Sequence, residues 1–225
     1  MNEWHIFAGS GELDRALAEH LGKRLQTDIE RHGHASLAVS GGSTPIGMFR
    51  KLSSCELDWS RVWLTLVDER RVATDSPASN ERMLRENLLQ NRAAAARFIS
   101  LADNGADGVA ALGRALDAIP RPFSAVVLGM GGDGHTASWF PGAANLPALL
   151  DPANPADVAE TMPVTAPHER LTLTLAAVLK SREILIHITG EAKKTLLENA
   201  RAEQHPVAAI LQQTVTPASI WWAPQ

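Results

Sequence analysis

Tyrosine is absent from this 225-residue chain, cysteine occurs once, at Cys55, and no stretch holds the ~18 uninterrupted apolar residues that a membrane-spanning helix needs. Each shortage narrows the field. One cysteine cannot build a disulfide framework or a Cys-x-x-Cys pair, and it suits a reducing cytoplasm. The start, Met1-Asn2-Glu3-Trp4-His5-Ile6, has neither the basic residues nor the long apolar stretch of a secretory signal. With 21 Lys and Arg against 25 Asp and Glu, a net charge of −4 and no dense basic block, nothing in the electrostatics calls for nucleic acid as a partner. The lack of tyrosine also weakens a base-stacking role. No His-Glu-x-x-His pair is present, so a zinc site lacks its usual ligands. Without a Gly-x-Ser-x-Gly elbow, a serine triad lacks its turn. What remains is a soluble, cytoplasmic protein without metal, cofactor or membrane attachment, of ordinary globular make-up at 45% hydrophobic and 20% charged residues. The length favours one domain, residues 1–225, and whether it is a monomer or a small homo-oligomer stays open.

The chain alternates two periods. Trp4 to Ala8 is a short apolar run, and then Leu13, Leu17, Leu21, Leu25 and Ile29 recur every fourth residue, a strand followed by an amphipathic helix. The pattern repeats with Leu37 to Val39 and a helix from Pro45 to Leu52, then with Val62 to Val67 and a helix from Arg82 to Gln90. Ala106 to Ile119 reads as a further helix, and Ala125 to Leu128 as a fully buried strand. Beyond these, the spacing predicts a strand at Val158 to Val164, a helix at Leu171 to Leu179, a strand at Ile184 to Ile188, a helix at Glu191 to Ala200 and a last strand at Ser219 to Trp222. Such alternation predicts an α/β fold: a Rossmann-like, doubly wound, mostly parallel sheet with helices on both faces. Pro141 to Pro155 reads as a surface loop near the site. Ligands of such sheets bind beyond the carboxyl ends of the strands, so the informative residues should follow Val39, Val67, Leu128 and Ile188.

After the second strand comes Ser40-Gly41-Gly42-Ser43-Thr44-Pro45. Its glycines allow close backbone approach, and the amides of a helix start at Gly42, Ser43 and Thr44 suit a phosphate, although a tight turn capped by Ser43 or Thr44 explains the same residues. No Gly-Lys-Ser/Thr ending follows, which argues against a nucleotide triphosphate. Asp68-Glu69-Arg70-Arg71 follows the third strand, where Arg70 could grip an anion bidentately or belong to solvated ion pairs. Asn80 opens the next helix as a cap or a ligand contact. The densest signal is Gly129-Met130-Gly131-Gly132-Asp133-Gly134-His135. It matches Gly-x-Gly-x-x-Gly formally, but Asp133 would put negative charge where a pyrophosphate must sit. A glycine loop presenting one histidine makes better sense as an acid/base site, with amides around Gly131 to Gly134 facing a developing oxyanion. Asp133 or Asp68 would orient the ring. His5, His20, His32, His34, His168, His187 and His205 lack such a setting and read as surface or core. Arg170, before the helix expected at Leu171, and Lys193, at the start of another, are expected with Arg70 and the Ser43/Thr44 helix start to form one phosphate site. A cation at a helix start is unfavourable unless an anion is there too. Cys55 is incidental, and Trp221-Trp222 reads as terminal strand packing.

Together, Gly41-Gly42-Ser43-Thr44-Pro45, Asp68-Glu69-Arg70, Ser79-Asn80, the run from Gly129 to Gly142 with its Gly-Asp-Gly-His-Thr-Ala-Ser block and Phe-Pro-Gly end, Arg170-Leu171-Thr172-Leu173-Thr174 and Gly190-Glu191-Ala192-Lys193 resemble the 6-phosphogluconolactonase family. The resemblance runs through nearly the whole chain. It implies a cytoplasmic enzyme of the pentose phosphate route that hydrolyses 6-phospho-glucono-1,5-lactone without a cofactor. His135 would then activate water, and Gly42, Asn80, Gly131 and Gly132 would join the cations and hydroxyls named above at the substrate. Glucosamine-6-phosphate deaminase is a rival that is similar in the Asp-Glu pair and the Gly-Asp-Gly-His loop. Its chemistry relies on a carboxylate in a segment resembling Phe-Asn-Glu-Pro-Gly, whereas this chain has Ser138-Trp139-Phe140-Pro141-Gly142, and Arg70 replaces a tyrosine after the acidic pair. A sugar-phosphate sensor is a second rival, but sensors of this fold usually carry a DNA-binding helical domain, and this chain begins directly with strand one. Trp139 stands where an aliphatic residue is expected, and the loop from Thr74 to Ser79 could be shaped differently.

Overall fold

A computed structural model describes residues 2–102, 108–164 and 166–225. A short strand, β1 (Glu3–Ile6), leads into α1 (Ser10–His32), where the four-residue leucine spacing becomes one buried stripe, Leu13, Leu17, Leu21 and Leu25. The helix stops at Gly33, whose φ of 78° is left-handed and whose N–H donates to the Ile29 carbonyl. Next come β2 (Ala35–Val39), α2 (Ile46–Leu52), β3 (Val62–Leu66), β4 (Asp68–Arg70), α3 (Asn80–Asn87), β5 (Arg97–Phe98), α4 (Gly108–Leu116) and β6 (Ala125–Leu128). The chain continues through α5 (Leu146–Leu149), β7 (Val158–Thr161), β8 (Arg170–Leu173), α6 (Leu175–Leu179), β9 (Ile184–Thr189), α7 (Glu191–Asn199), α8 (Ala208–Gln212) and β10 (Ala218–Ala223).

Seven strands form a parallel sheet in the order β1-β10-β9-β6-β2-β3-β5. From β2 the chain steps outward through β3 to β5 and then returns to the other side of β2 as β6. The switch point therefore lies between β2 and β6, with their carboxyl ends side by side. β2 and β6 are buried at every position, so the absence of polar alternation in Leu37 to Val39 and Ala125 to Leu128 follows from cover on both faces. The α/β fold with helical crossovers agrees with the expectation. No described helix is long and apolar enough to cross a membrane.

A second, antiparallel sheet, β4-β8-β7, was not expected, and it corrects one element. The helix expected over Leu171 to Leu179 divides into β8 and α6, with Thr174 as the N-cap accepting from the Ala177 N–H at 3.2 Å. Leu171-Thr172-Leu173 is buried on both sides, and a β-branched residue between leucines fits a pleated strand better than a helix. Arg170 therefore opens a strand and does not precede a helix. The loop expected at Pro141 to Pro155 contains α5, and α3 opens at Asn80 as its place after Ser79 suggested but ends at Asn87, short of Gln90. Of the helix expected from Ala106, residues 106 and 107 lie outside the described residues. Trp221 and Trp222 are buried in β10, between β1 and β9, with their indole N–H groups on Ser219 Oγ and the Gly190 carbonyl, both at 3.0 Å. Trp139 is fully buried and donates to the Leu173 carbonyl at 2.9 Å, which explains how an indole stands in place of an aliphatic residue.

Candidate active site

The loops leaving β2 and β6 are tied together at their first residues. Ser40 donates its N–H to the Val127 carbonyl and accepts the Gly129 N–H on Oγ, both at 2.9 Å. Between these loops, β4 and the start of α7 lies a cavity of about 230 Å³, lined by Ser43, Thr44, Asp68, Arg70, His135 and Lys193 among others. Asn80 completes the wall where Gly41 passes: a Cβ on Gly41 would stand 2.0 Å from Asn80 Oδ1, so a larger residue there would displace the Asn80 amide. Asn80 Nδ2 donates to the Asp68 carbonyl at 2.9 Å, while its Oδ1 is buried without a partner among the described residues.

The glycine loop after β6 is a tight turn built around His135. The Gly131 N–H donates to the His135 carbonyl at 2.9 Å and the Gly134 N–H to the Gly131 carbonyl at 3.2 Å. Asp133 Oδ1 accepts both the His135 backbone N–H at 3.2 Å and ring Nδ1 at 2.5 Å, and the ring packs on Phe140 with centroids 4.2 Å apart. Partial burial pushes the Asp133 carboxyl up, but the His135 backbone N–H and ring outweigh it and hold the carboxyl below its usual range. With Nδ1 engaged, Nε2 is the ring nitrogen left for a ligand. The amides of Gly131 and Gly134 are engaged inside the turn, Gly131 lines the cavity, and Gly132 is not among its lining residues.

Of the two carboxylates considered for orienting His135, Asp133 makes the contact. Asp68 accepts instead from Ser138 Oγ at 2.6 Å. Its neighbour Glu69 is a fastening: it accepts the backbone N–H groups of Arg70 (2.6 Å), Asn80 (2.8 Å) and Glu81 (2.7 Å) and the Ser79 hydroxyl (3.0 Å). Burial raises the Glu69 carboxyl in spite of these donors. A carboxylate at the start of α3 suits the helix dipole, and the loop from Arg71 to Ser79 is thereby folded back so that Arg70 and Asn80 both reach the cavity.

Of the expected cations, Arg70 and Lys193 line the same cavity as Ser43 and Thr44, while Arg170 is not among its lining residues. Arg70 and Arg170 stand directly opposite each other on β4 and β8. Burial and then the Arg70 charge lower the Arg170 guanidinium against the pull of Asp68 and Glu69. Like charges facing each other across strands are destabilising, and an anion between them removes the penalty. Arg170 Nη1 is occupied by the Pro167 and His168 carbonyls at 2.8 and 3.1 Å, and its guanidinium lies 5.8 Å from the Phe140 ring that packs on His135. Arg70 Nη1 holds the Ala78 carbonyl at 2.7 Å, and the residue lines the cavity. Lys193 comes from the start of α7, the helix that follows β9, and lines the cavity with Arg70. Burial lowers its ammonium, and its charge bears on His187, which also lines the cavity.

Sequence reasoning missed Ser40, Ser138, Phe140, Glu69 and His187. The first four sat inside motifs already singled out, and their roles depend on contacts outside those local patterns. His187 had a signal of its own, one imidazole inside an otherwise apolar strand. Among the described residues no group of three or more His, Cys, Asp or Glu side chains could share a metal ion.

The sequence pattern of the family described as glucosamine-6-phosphate isomerases/6-phosphogluconolactonase matches residues 9–221. A 6-phosphogluconolactonase from Rhizobium meliloti (strain 1021) is 44% identical, over 98% of this chain and 98% of its own. Another from Mesorhizobium japonicum is 43% identical, over 98% and 95%. The crystal structure of a 6-phosphogluconolactonase from Shewanella baltica OS155 matches with a TM-score of 0.95 at 42% identity, over 99% of this chain and 98% of that one.

Proposed function

This chain belongs to the glucosamine-6-phosphate isomerase/6-phosphogluconolactonase family, and from that premise and the geometry of its cavity we propose that it hydrolyses 6-phospho-D-glucono-1,5-lactone to 6-phospho-D-gluconate with His135 as general base. It is a lactone hydrolase, and the reaction is a step of the pentose phosphate route. The observation that carries the mechanism is His135 on the cavity wall with Asp133 behind it, Nδ1 held at 2.5 Å and Nε2 left over. Nε2 takes a proton from water as the water oxygen attacks the lactone carbonyl. The carbonyl oxygen becomes an oxyanion, the bond to the ring oxygen breaks, and the imidazolium returns its proton to that departing oxygen. Asp133 fixes the tautomer and steadies the imidazolium between these steps. Base assistance of this kind is worth about 10²- to 10⁴-fold.

With the Gly131 and Gly134 amides consumed, the oxyanion falls to Arg70, whose partner Arg170 reaches His135 through Phe140. Lys193, with the Gly42-Ser43-Thr44 turn, receives the phosphoryl group. This divides the cavity into a carbonyl end and an anion end, and it needs no metal or cofactor. The deaminase rival wants a carboxylate just after the histidine, but in this chain Ser138 is tied to Asp68 and Trp139 is in the core. The test is acid release from freshly made 6-phosphogluconolactone above an enzyme-free blank, with glucosamine 6-phosphate in parallel. Turnover of the lactone alone is expected. Ammonia from the amino sugar, or binding of both compounds without turnover, would overturn the reading.

A further inference from the structure

β9 is Ile184-Leu185-Ile186-His187-Ile188-Thr189, an apolar strand interrupted by one imidazole. Its ladder with β6 ends at the Leu128–Ile186 pair, so His187 is the first β9 residue beyond that pairing, where β6 gives way to Gly129 and the cavity opens. The ring is 2% exposed and lines the cavity together with Lys193, yet neither ring nitrogen has a hydrogen-bond partner among the described residues. Asp14 of α1 has Oδ1 3.9 Å from Nε2, beyond hydrogen-bond reach. That carboxylate is raised by burial and drawn the other way by Lys51 and the Met48 N–H of α2. Lys193 of α7 is the cation whose charge bears on the ring.

Buried polar groups are nearly always paired, so one left open on a cavity wall marks a place where a ligand can supply the partner. Burial keeps the ring uncharged at neutral pH, which leaves it one N–H donor and one lone pair. A neutral donor beside Lys193 adds a hydrogen bond without adding a second repelling cation. We propose that His187 is a binding residue for the phosphoryl end of the substrate, its ring N–H donating to a phosphoryl oxygen that Lys193 and the Gly42–Thr44 turn also hold. The proposal rests on the assignment of that end of the cavity to phosphate.

Titration of the full chain, carrying ¹⁵N-labelled histidine and backbone, with inorganic phosphate and with 6-phosphogluconate tests both levels separately. The expected result is that the His187 ring nitrogens and the Gly42 and Ser43 amides move with one half-saturation point. Amides that move while the His187 ring stays still would overturn the His187 assignment and leave the anion end standing. If neither moves under saturating 6-phosphogluconate, the anion end is wrong, and the His187 role falls with it. As a second measurement, His187→Leu should weaken phosphate binding roughly ten-fold or more, and His187→Asn should recover part of the loss because it keeps a neutral donor. Unchanged phosphate affinity in either folded variant would contradict the proposal, and His187→Asn and the wild-type titration decide it if His187→Leu does not fold.

Discussion

His135 and His187 line one cavity from the ends of neighbouring strands, β6 and β9, and their surroundings are opposite. His135 is partly exposed, braced by Asp133 at 2.5 Å and by Phe140, and offers one nitrogen to the cavity. His187 is buried, has no hydrogen-bond partner among the described residues, and is pushed down to about 4 by burial and then by the Lys193 charge. A ring that must gain and lose a proton needs a carboxylate behind it to stabilise the charged form. One that only hydrogen-bonds to an anion needs no such carboxylate, and the neutral ring still offers an N–H donor. The two environments are what the proposed division needs, with proton transfer at one end of the cavity and anion recognition at the other.

The difference is broken most severely at His135. His135→Ala should lower kcat by about 10²- to 10⁴-fold with little change in KM, measured as acid release above the blank. Near wild-type turnover in a folded variant would remove the base from the mechanism. Arg70→Ala comes next, because a preorganised charge at the oxyanion is worth about 10²- to 10³-fold in kcat. That loss should be the same for 6-phosphogluconolactone and for unphosphorylated gluconolactone. A loss confined to the phosphorylated lactone would move Arg70 to the anion end.

The smallest effect concerns stability. The unfolded imidazole of His187 titrates near 6.5 and the folded one near 4, so between these values the unfolded chain binds more protons. Stability present in full above about pH 6.5 is therefore lost as the pH falls towards 4, a contribution on the order of 3 kcal/mol. Urea denaturation from pH 7 to pH 4 should show a steeper acid loss for the wild type than for His187→Asn. Parallel curves would mean that the ring is not held neutral by its site.

The legible parts of this molecule were those written in local periodicity. The leucine stripe of α1, the unbroken apolar runs of β2 and β6 and the glycine loop before His135 each carry their structure within one segment. The small sheet was hidden, because β4 has three residues and β8 alternates Leu with Thr in a stretch that also satisfies helical spacing. Within the site, sequence could name Asp133 and Asp68 but not choose between them. The choice depends on Ser138, which reaches Asp68 from 70 positions away. Sequence could bring Arg70 and Lys193 to one cavity from their places at strand and helix ends, but not foresee that Arg170 stands across the strands from Arg70 and outside the cavity lining.

The division of the cavity is tested most directly by one ratio, kcat/KM for 6-phosphogluconolactone over kcat/KM for gluconolactone, measured in the wild type, in His135→Ala and in Lys193→Ala. His135 acts on the bond that both lactones share, so its removal should lower both values together and leave the ratio unchanged. Lys193 acts on the phosphoryl group alone, and a charge-assisted contact of about 1.5 to 3 kcal/mol should shrink the ratio by roughly ten-fold or more when it is lost. A ratio that collapses in His135→Ala, or one that survives intact in Lys193→Ala, would contradict the account.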